Sequence, residues 1–149
     1  MPFAQSARFV LPLRVYYEDT DAAGVVYYAN YLRFLERART EWLRSLGYEQ
    51  QRLAQTLDLA FVVRSLTCEY LKPARLDQTL NIVSEIESIG RAQIVFAQRV
   101  DSQSGGETLL TASVRVACVA AAHMKPKALP NDMYDTFKTL IATGARKRA

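Results

Sequence analysis

Residues Tyr28-Ala29-Asn30-Tyr31-Leu32-Arg33-Phe34-Leu35-Glu36-Arg37-Ala38-Arg39-Thr40-Glu41-Trp42-Leu43-Arg44-Ser45-Leu46-Gly47 form the longest stretch of this chain that keeps a single period. Tyr28, Tyr31, Leu32, Leu35, Ala38, Trp42, Leu43 and Leu46 recur at spacings of three and four, the stripe of an amphipathic helix. Arg33, Glu36, Arg37, Arg39, Glu41 and Arg44 fill much of the rest, and Gly47 stands where a C-terminal cap belongs. The stripe is wide and carries Trp42, which suits burial against a curved sheet.

The flanking sequence supplies such a sheet. Before the helix, Phe9, Leu11, Leu13, Val15 and Tyr17 share one parity across Arg8 to Tyr17, the period of a half-buried strand. Pro12 lacks a donor, which places that strand at a sheet edge or a bulge. After it, a short helical stretch at about Glu49 to Thr56 gives way to Ala60–Leu71, Thr79–Ile89, Arg91–Asp101 and the alternating run Leu110 to Cys118, with a Ser-Gly-Gly loop at Ser104–Gly106. A last helix is expected over Asn131 to Ala142, after Pro130. One long helix with a run of antiparallel strands predicts an α+β, two-layer domain.

Composition narrows the class. At 149 residues the chain is the size of one ordinary domain, read here as 1–149, and can bury a core without disulfides or a structural metal. It is 50% hydrophobic and 23% charged, as a soluble globular protein is. No run approaches the roughly 20 apolar residues of a membrane span. Met1 to Val15 carries Arg8, Pro12 and Arg14 where a signal peptide needs an unbroken apolar core, so the expected compartment is the cytoplasm. Cys68 and Cys118 lie in strand-like runs and read as two buried free thiols. With the single His123 they give no zinc spacing. The net charge of +4 falls partly on Arg146-Lys147-Arg148, read as a solvated tail. Basic and aromatic residues are not interleaved as in a nucleic-acid-binding module.

The chemistry is concentrated between the first strand and the long helix, in Tyr16-Tyr17-Glu18-Asp19-Thr20-Asp21-Ala22-Ala23-Gly24-Val25-Val26-Tyr27-Tyr28-Ala29-Asn30-Tyr31. It reads as an acidic turn, with Gly24 permitting a tight backbone. The first helical amides, near Tyr28, have no intrahelical partner and carry the positive end of the helix dipole. They would stabilise a carbonyl oxygen gaining negative charge. A nearby carboxylate could attack the carbonyl carbon or activate a water. The alternative is that Asp19 and Asp21 are ordinary turn formers.

That run resembles the signature of the 4-hydroxybenzoyl-CoA thioesterase family of hotdog proteins, closest to the branch associated with the bacterial Tol-Pal cell-envelope system. The likeness extends to Glu36-Arg37-Ala38-Arg39-Thr40-Glu41, Ala60-Phe61-Val62-Val63-Arg64, Glu69-Tyr70-Leu71-Lys72-Pro73-Ala74-Arg75-Leu76-Asp77 and Met124-Lys125-Pro126-Lys127-Ala128-Leu129-Pro130. It implies a hotdog fold, a five-stranded antiparallel sheet wrapped around a long central helix. It further implies an acyl-CoA thioesterase assembled as a homodimer or homotetramer, with no metal or redox cofactor. The catalytic carboxylate would be Asp21 and the polarising amide that of Tyr28. The Tol-Pal branch typically carries His at the position of Tyr28 and the hydroxybenzoyl branch Tyr, a departure that bears on acyl preference more than on reaction type. Asp19 is read as a support for the turn, His123 as a surface residue, and Glu36 as an ion-pairing partner of Arg33, Arg37 or Arg39, the alternative being a catalytic Glu36, since another hotdog branch uses a helix Glu as its carboxylate. Arg64, Arg91, Lys125 and Lys127 are the candidates for the CoA phosphates. The competing function is a hotdog scaffold that docks acyl carrier protein or an envelope complex.

Overall fold

The computed structural model describes residues 7–148, with side chains over 7–144. Residues 1–6 of the Met1–Val15 segment, and the side chains of Arg146-Lys147-Arg148, lie outside those described. The elements are β1 (Arg8–Arg14), α1 (Tyr31–Ser45), α2 (Gln50–Leu57), β2 (Leu59–Tyr70), β3 (Thr79–Ile89), β4 (Gln93–Ser102), β5 (Thr108–Ala120) and α3 (Asn131–Arg148). The strands form one antiparallel sheet of order β1-β3-β4-β5-β2, so β1 and β2 are its two edges. This is the α+β hotdog arrangement, with α1 held by the sheet.

Strand alternation builds the core. Leu80, Ile82 and Ile86 of β3, Ile94, Phe96 and Val100 of β4, and Leu110, Val114, Val116 and Cys118 of β5 join Phe34, Leu35, Ala38 and Trp42 of α1 and Met133, Phe137 and Leu140 of α3 in one buried cluster. Phe9 of β1 stacks on Trp42 with ring centroids 6.1 Å apart. Both cysteines are free; Cys118 is buried and Cys68 only partly so.

Four expectations are corrected. The first strand stops at Arg14 rather than Tyr17, because the Tyr16 N–H leaves the sheet for the Asp19 carboxylate. Tyr28 stands in a 3-10 turn ahead of α1 and is 63% exposed, and Phe34 takes a core position on the stripe. Arg39, read as surface, is 8% exposed. α3 continues past Ala142 to Arg148, so the backbone expected to be a tail is helical.

Arg39 has a defined receptor. Gln98 and Ser84 are register partners on neighbouring strands and share the otherwise apolar inner face. Arg39 Nη1 donates to Gln98 Oε1 at 2.9 Å, and Gln98 Nε2 donates to Ser84 Oγ at 2.9 Å and to the Leu35 carbonyl at 3.1 Å. Burial pushes the Arg39 guanidinium below its ordinary value, opposed by the charge of Glu36. This polar staple fixes α1 against β3 and β4, and with it the turn at the start of the helix.

Candidate active site

The acidic turn is held by one aspartate and presents another. Asp19 uses both carboxylate oxygens: Oδ2 accepts from the Tyr16 N–H and Oδ1 from Asn30 Nδ2, each at 2.8 Å. Its carbonyl accepts from the Tyr27 N–H at 3.0 Å. Asp19 thus joins the exit of β1 to the turn before α1. Asp21 is exposed; its Oδ1 accepts from the Ala23 N–H at 2.9 Å, a local turn bond. Its Oδ2 has no partner among the described residues. The loop closes through Asp21 N–H to the Val25 carbonyl at 2.9 Å and Gly24 N–H to the Asp21 carbonyl at 3.0 Å. Gly24 sits at φ +78°, the left-handed region that favours glycine.

The donors lie just beyond. Tyr28–Asn30 form a 3-10 turn that runs into the 15-residue α1, and no side chain caps it. Among the described residues neither the Tyr28 nor the Ala29 N–H has an acceptor. The positive end of the α1 dipole adds to them. Ala29 lines a cleft of about 360 Å³ together with Asp19, Asp21, Tyr27, Asn30 and Arg33. Asp21, with a carboxylate oxygen that has no partner among the described residues, and Ala29, whose amide likewise has none, therefore line one cleft.

Aromatic residues from the far side brace this turn. Tyr70, the last residue of β2, donates its hydroxyl to the Tyr28 carbonyl at 2.9 Å. The Tyr31 hydroxyl accepts from the Ala74 N–H at 2.9 Å, and burial raises the Tyr31 phenol above its ordinary value. Val26 N–H reaches the Ala74 carbonyl at 2.8 Å. Sequence reasoning gave Tyr70, Tyr31 and Asn30 no role at the site. Their partners lie 42, 43 and 11 positions away, and nothing in the local sequence signals those contacts.

The four basic candidates do not gather at Asp21. Lys125 and Lys127 follow β5, where Ala120 N–H reaches the Lys125 carbonyl at 2.8 Å and Lys127 N–H the Cys118 carbonyl at 3.0 Å. Arg91 is beside them, its carbonyl accepting from the Leu129 N–H at 2.8 Å. That end of the sheet is where β2 begins, since Leu59 pairs with Ala120. Asp21 and Tyr28 are at the end where β2 finishes. The 12 residues of β2 separate the two ends by about 35 Å at the strand rise. Arg64 is exposed midway, at the irregularity between Val63 and Ser65. Lys127 also holds the structure together, because its Nζ donates to the Leu57 carbonyl and, at 3.3 Å, to that of Asp58, capping the C-terminus of α2.

Glu36 makes no ion pair within 4 Å among the described residues, contrary to the pairing expected of it; on α1 that pairing occurs between Glu41 and Arg44 at 2.5 Å. Glu36 instead borders an apolar groove of about 410 Å³ with Leu32, Leu43, Phe61, Leu66 and Arg39. Arg33 lies on both this groove and the Asp21 cleft. His123 is exposed in the turn after β5.

Residues 23–109 match the family model described as the thioesterase superfamily, which covers more than half of the chain. The chain belongs to the thioesterase superfamily. Among relatives of this superfamily protein, the acyl-CoA thioesterase YbgC of Haemophilus influenzae is 47% identical over 89% of this chain and 96% of its own length. The acyl-CoA thioester hydrolase YbgC of Escherichia coli O157:H7 is 51% identical over 87% and 96%. A crystal structure of a Bartonella henselae protein named a probable thioesterase superposes with a TM-score of 0.78 at 36% identity, covering 83% of this chain and 99% of that one. The matched segment begins inside the acidic turn and includes Gly24, the 3-10 turn and all of α1.

Proposed function

We propose that this protein hydrolyses acyl-CoA thioesters to a free carboxylic acid and CoA, with Asp21 as the catalytic carboxylate and the open amides around Tyr28 as oxyanion donors. The observation that carries the proposal is the shared cleft: it is lined both by Asp21, whose Oδ2 has no partner among the described residues, and by Ala29, next to Tyr28, whose amide has none there either. In the reaction an oxygen nucleophile adds to the thioester carbonyl carbon. The carbonyl electron pair moves onto oxygen, where the amides receive it, and collapse breaks the C–S bond to expel the thiolate, which takes up a proton. Asp21 serves either by accepting a proton from the attacking water or by attacking and forming an anhydride that water opens. Both routes consume its free oxygen. The expected acyl group is short-chain or aromatic.

The active unit is a homodimer, alone or paired into a tetramer, with each site at a subunit boundary. Two observations support this. Edge strand β2 is long, carries no proline and exposes Val63 and Tyr70, an edge that soluble proteins cover. Antiparallel pairing of two β2 edges would also carry one subunit's Arg91, Lys125 and Lys127 end to its partner's Asp21 end, with Arg64 near the axis. The phosphates of CoA would then meet Arg64, Arg91 and Lys125, and Lys127 would help hold that surface. We read residues 1–149 as one catalytic domain acting in the cytoplasm. No helix among the described residues is long and apolar enough to cross a membrane. Association with the Tol-Pal system follows from the sequence resemblance.

The test is steady-state hydrolysis of an acyl-CoA panel, from short aliphatic to long-chain and aromatic, by wild type and Asp21→Asn. Asn is nearly isosteric and keeps the Ala23 bond, so fold and binding persist while turnover falls by about two to four orders of magnitude. Tyr28→Phe keeps most activity, because the amide and not the phenol is the donor, and His123→Ala is silent. Asp21→Asn turnover within about threefold of wild type, far short of a general-base loss, would remove Asp21 and make Glu36 the carboxylate to test. No turnover on any acyl-CoA, with acyl carrier protein still bound, would favour the scaffold reading.

A further inference from the structure

The Tyr28 carbonyl and the Ala29 N–H belong to one peptide plane, and in a trans peptide the two point in opposite directions. A group that grips the carbonyl therefore aims the N–H. Tyr70 is such a group, its hydroxyl 2.9 Å from the Tyr28 oxygen. Its ring packs edge-on against Tyr31 at 5.6 Å and Tyr28 at 6.4 Å between centroids. Tyr31 is itself 3% exposed and begins α1, so the clamp stands between two rigid elements, the end of β2 and the start of α1. The N–H opposite the clamp points away from Tyr70, and it is Ala29, not Tyr28 or Tyr70, that borders the cleft with Asp21. The Tyr28 N–H belongs to the preceding plane, whose carbonyl is held among the described residues only by the turn's own bond from the Asn30 N–H at 2.8 Å.

We infer that Tyr70 is a positioning residue for hydrolysis: by holding the Tyr28–Ala29 peptide it aims and strengthens the Ala29 N–H as the principal donor to the developing oxyanion. The inference rests on reading the Asp21 cleft as the hydrolytic site. The strengthening is electronic, since a hydroxyl donating to an amide oxygen draws density from the nitrogen and makes its N–H the better donor. Partial burial, with Cys68 beside it, pushes the Tyr70 phenol up to about 12, so the hydroxyl keeps the proton it donates. The resemblance named the Tyr28 amide; the inference moves the main role one residue on and adds a side chain from the last residue of the edge strand β2.

The test reads polarisation directly, with a ligand that does not turn over. A butyryl-CoA analogue in which CH₂ replaces the thioester sulfur, its ketone labelled with ¹³C, is bound to wild type and to Tyr70→Phe, and the carbonyl stretch is followed by infrared difference spectroscopy. In wild type the bound band lies below that of the free ketone. In Tyr70→Phe it moves back toward the free value. With the acyl-CoA substrate, kcat falls about tenfold, the scale of one net hydrogen bond, while KM stays within about twofold. Tyr48→Phe, whose hydroxyl bonds Asp132 far from the cleft, controls for loss of a phenol and leaves both readouts unchanged. A band and kcat at wild-type values in Tyr70→Phe would overturn the inference. So would a fall in kcat with an unmoved band, because Tyr70 would then act on the turn and not on the donor. The ketone readout does not need Asp21, so failure of the Asp21 assignment shows only in Asp21→Asn kinetics and is separable.

Discussion

The buried staple between α1 and the sheet offers a prediction whose size can be worked from its contacts. Arg39→Met leaves Gln98 Oε1 without its donor, at a cost of about 1–3 kcal/mol. Gln98→Leu is worse. It leaves a guanidinium that is 8% exposed without its Gln98 acceptor and takes the donor from Ser84 Oγ, about 3–5 kcal/mol. Replacing both with apolar groups removes the two desolvated partners together, so the double variant should be about 2–3 kcal/mol more stable than the sum of the single losses. The assay is urea unfolding at fixed protein concentration. Trp42, the one tryptophan, is buried on α1 one turn from Arg39 and serves as the fluorescence probe. At about 2–4 °C per kcal/mol for a chain of this size, Gln98→Leu should lower the melting temperature by about 10 °C. Below their melting temperatures all three variants should turn over within about threefold of wild type, because the staple lies roughly 16 Å along the helix from Tyr28. Additive losses in the double variant would show that Arg39 and Gln98 do not act as a pair, and the staple would have to be abandoned.

Three further predictions concern the site. Neutralising Arg91 and Lys125 together should raise KM for the CoA ester, leave kcat nearly unchanged, and leave KM for the matching acyl-pantetheine ester where it was, the mark of uniform binding to the nucleotide phosphates; equal KM changes on both esters would reassign these residues. Mixing that variant with inactive Asp21→Asn should restore wild-type KM in the mixed dimers, since one of their two sites then has both an intact carboxylate and an intact basic end, and unaltered kinetics on mixing would refute a site shared between subunits. Gly24→Ala should cost about 1–2 kcal/mol and lower turnover, because Gly24 lies at φ +78° with nothing within 4 Å of an added Cβ, so the penalty is conformational and not steric. Gly24→Asn should recover part of the loss, as asparagine tolerates that region; melting curves and kcat for the pair check this.

What the chain disclosed before its structure was known follows from how far each signal reaches. β3 lies at Thr79–Ile89 as read, because alternation is local and Gly90 ends it. The acidic turn was legible for the same reason: the carboxylates of Asp19 and Asp21 accept from backbone N–H groups only three and two residues away. Arg39 was misread despite its angle. It lies four residues after Leu35 and three before Trp42, squarely on the buried stripe, and only its charge argued for the surface. The signal that would have corrected it was a second anomaly, Gln98 at an inner-face position of β4 between Phe96 and Val100. A polar residue on each of two facing apolar surfaces is a pair awaiting assignment. Tyr28 was misread because a 3-10 turn repeats at three, which a spacing of three and four cannot tell from the first turn of a helix. That error matters for chemistry: in a 3-10 turn ahead of the helix, the Tyr28 and Ala29 amides are both open, and the sheet can choose between them. Tyr70, to which we assign that choice, reaches the Tyr28 carbonyl from 42 residues away, through a contact that no periodicity encodes. The basic residues raise the same problem at larger scale. They sit at the far end of their own sheet from their own Asp21, and in the proposed homodimer it is the symmetry of a second chain that closes the distance, which one sequence read once does not contain.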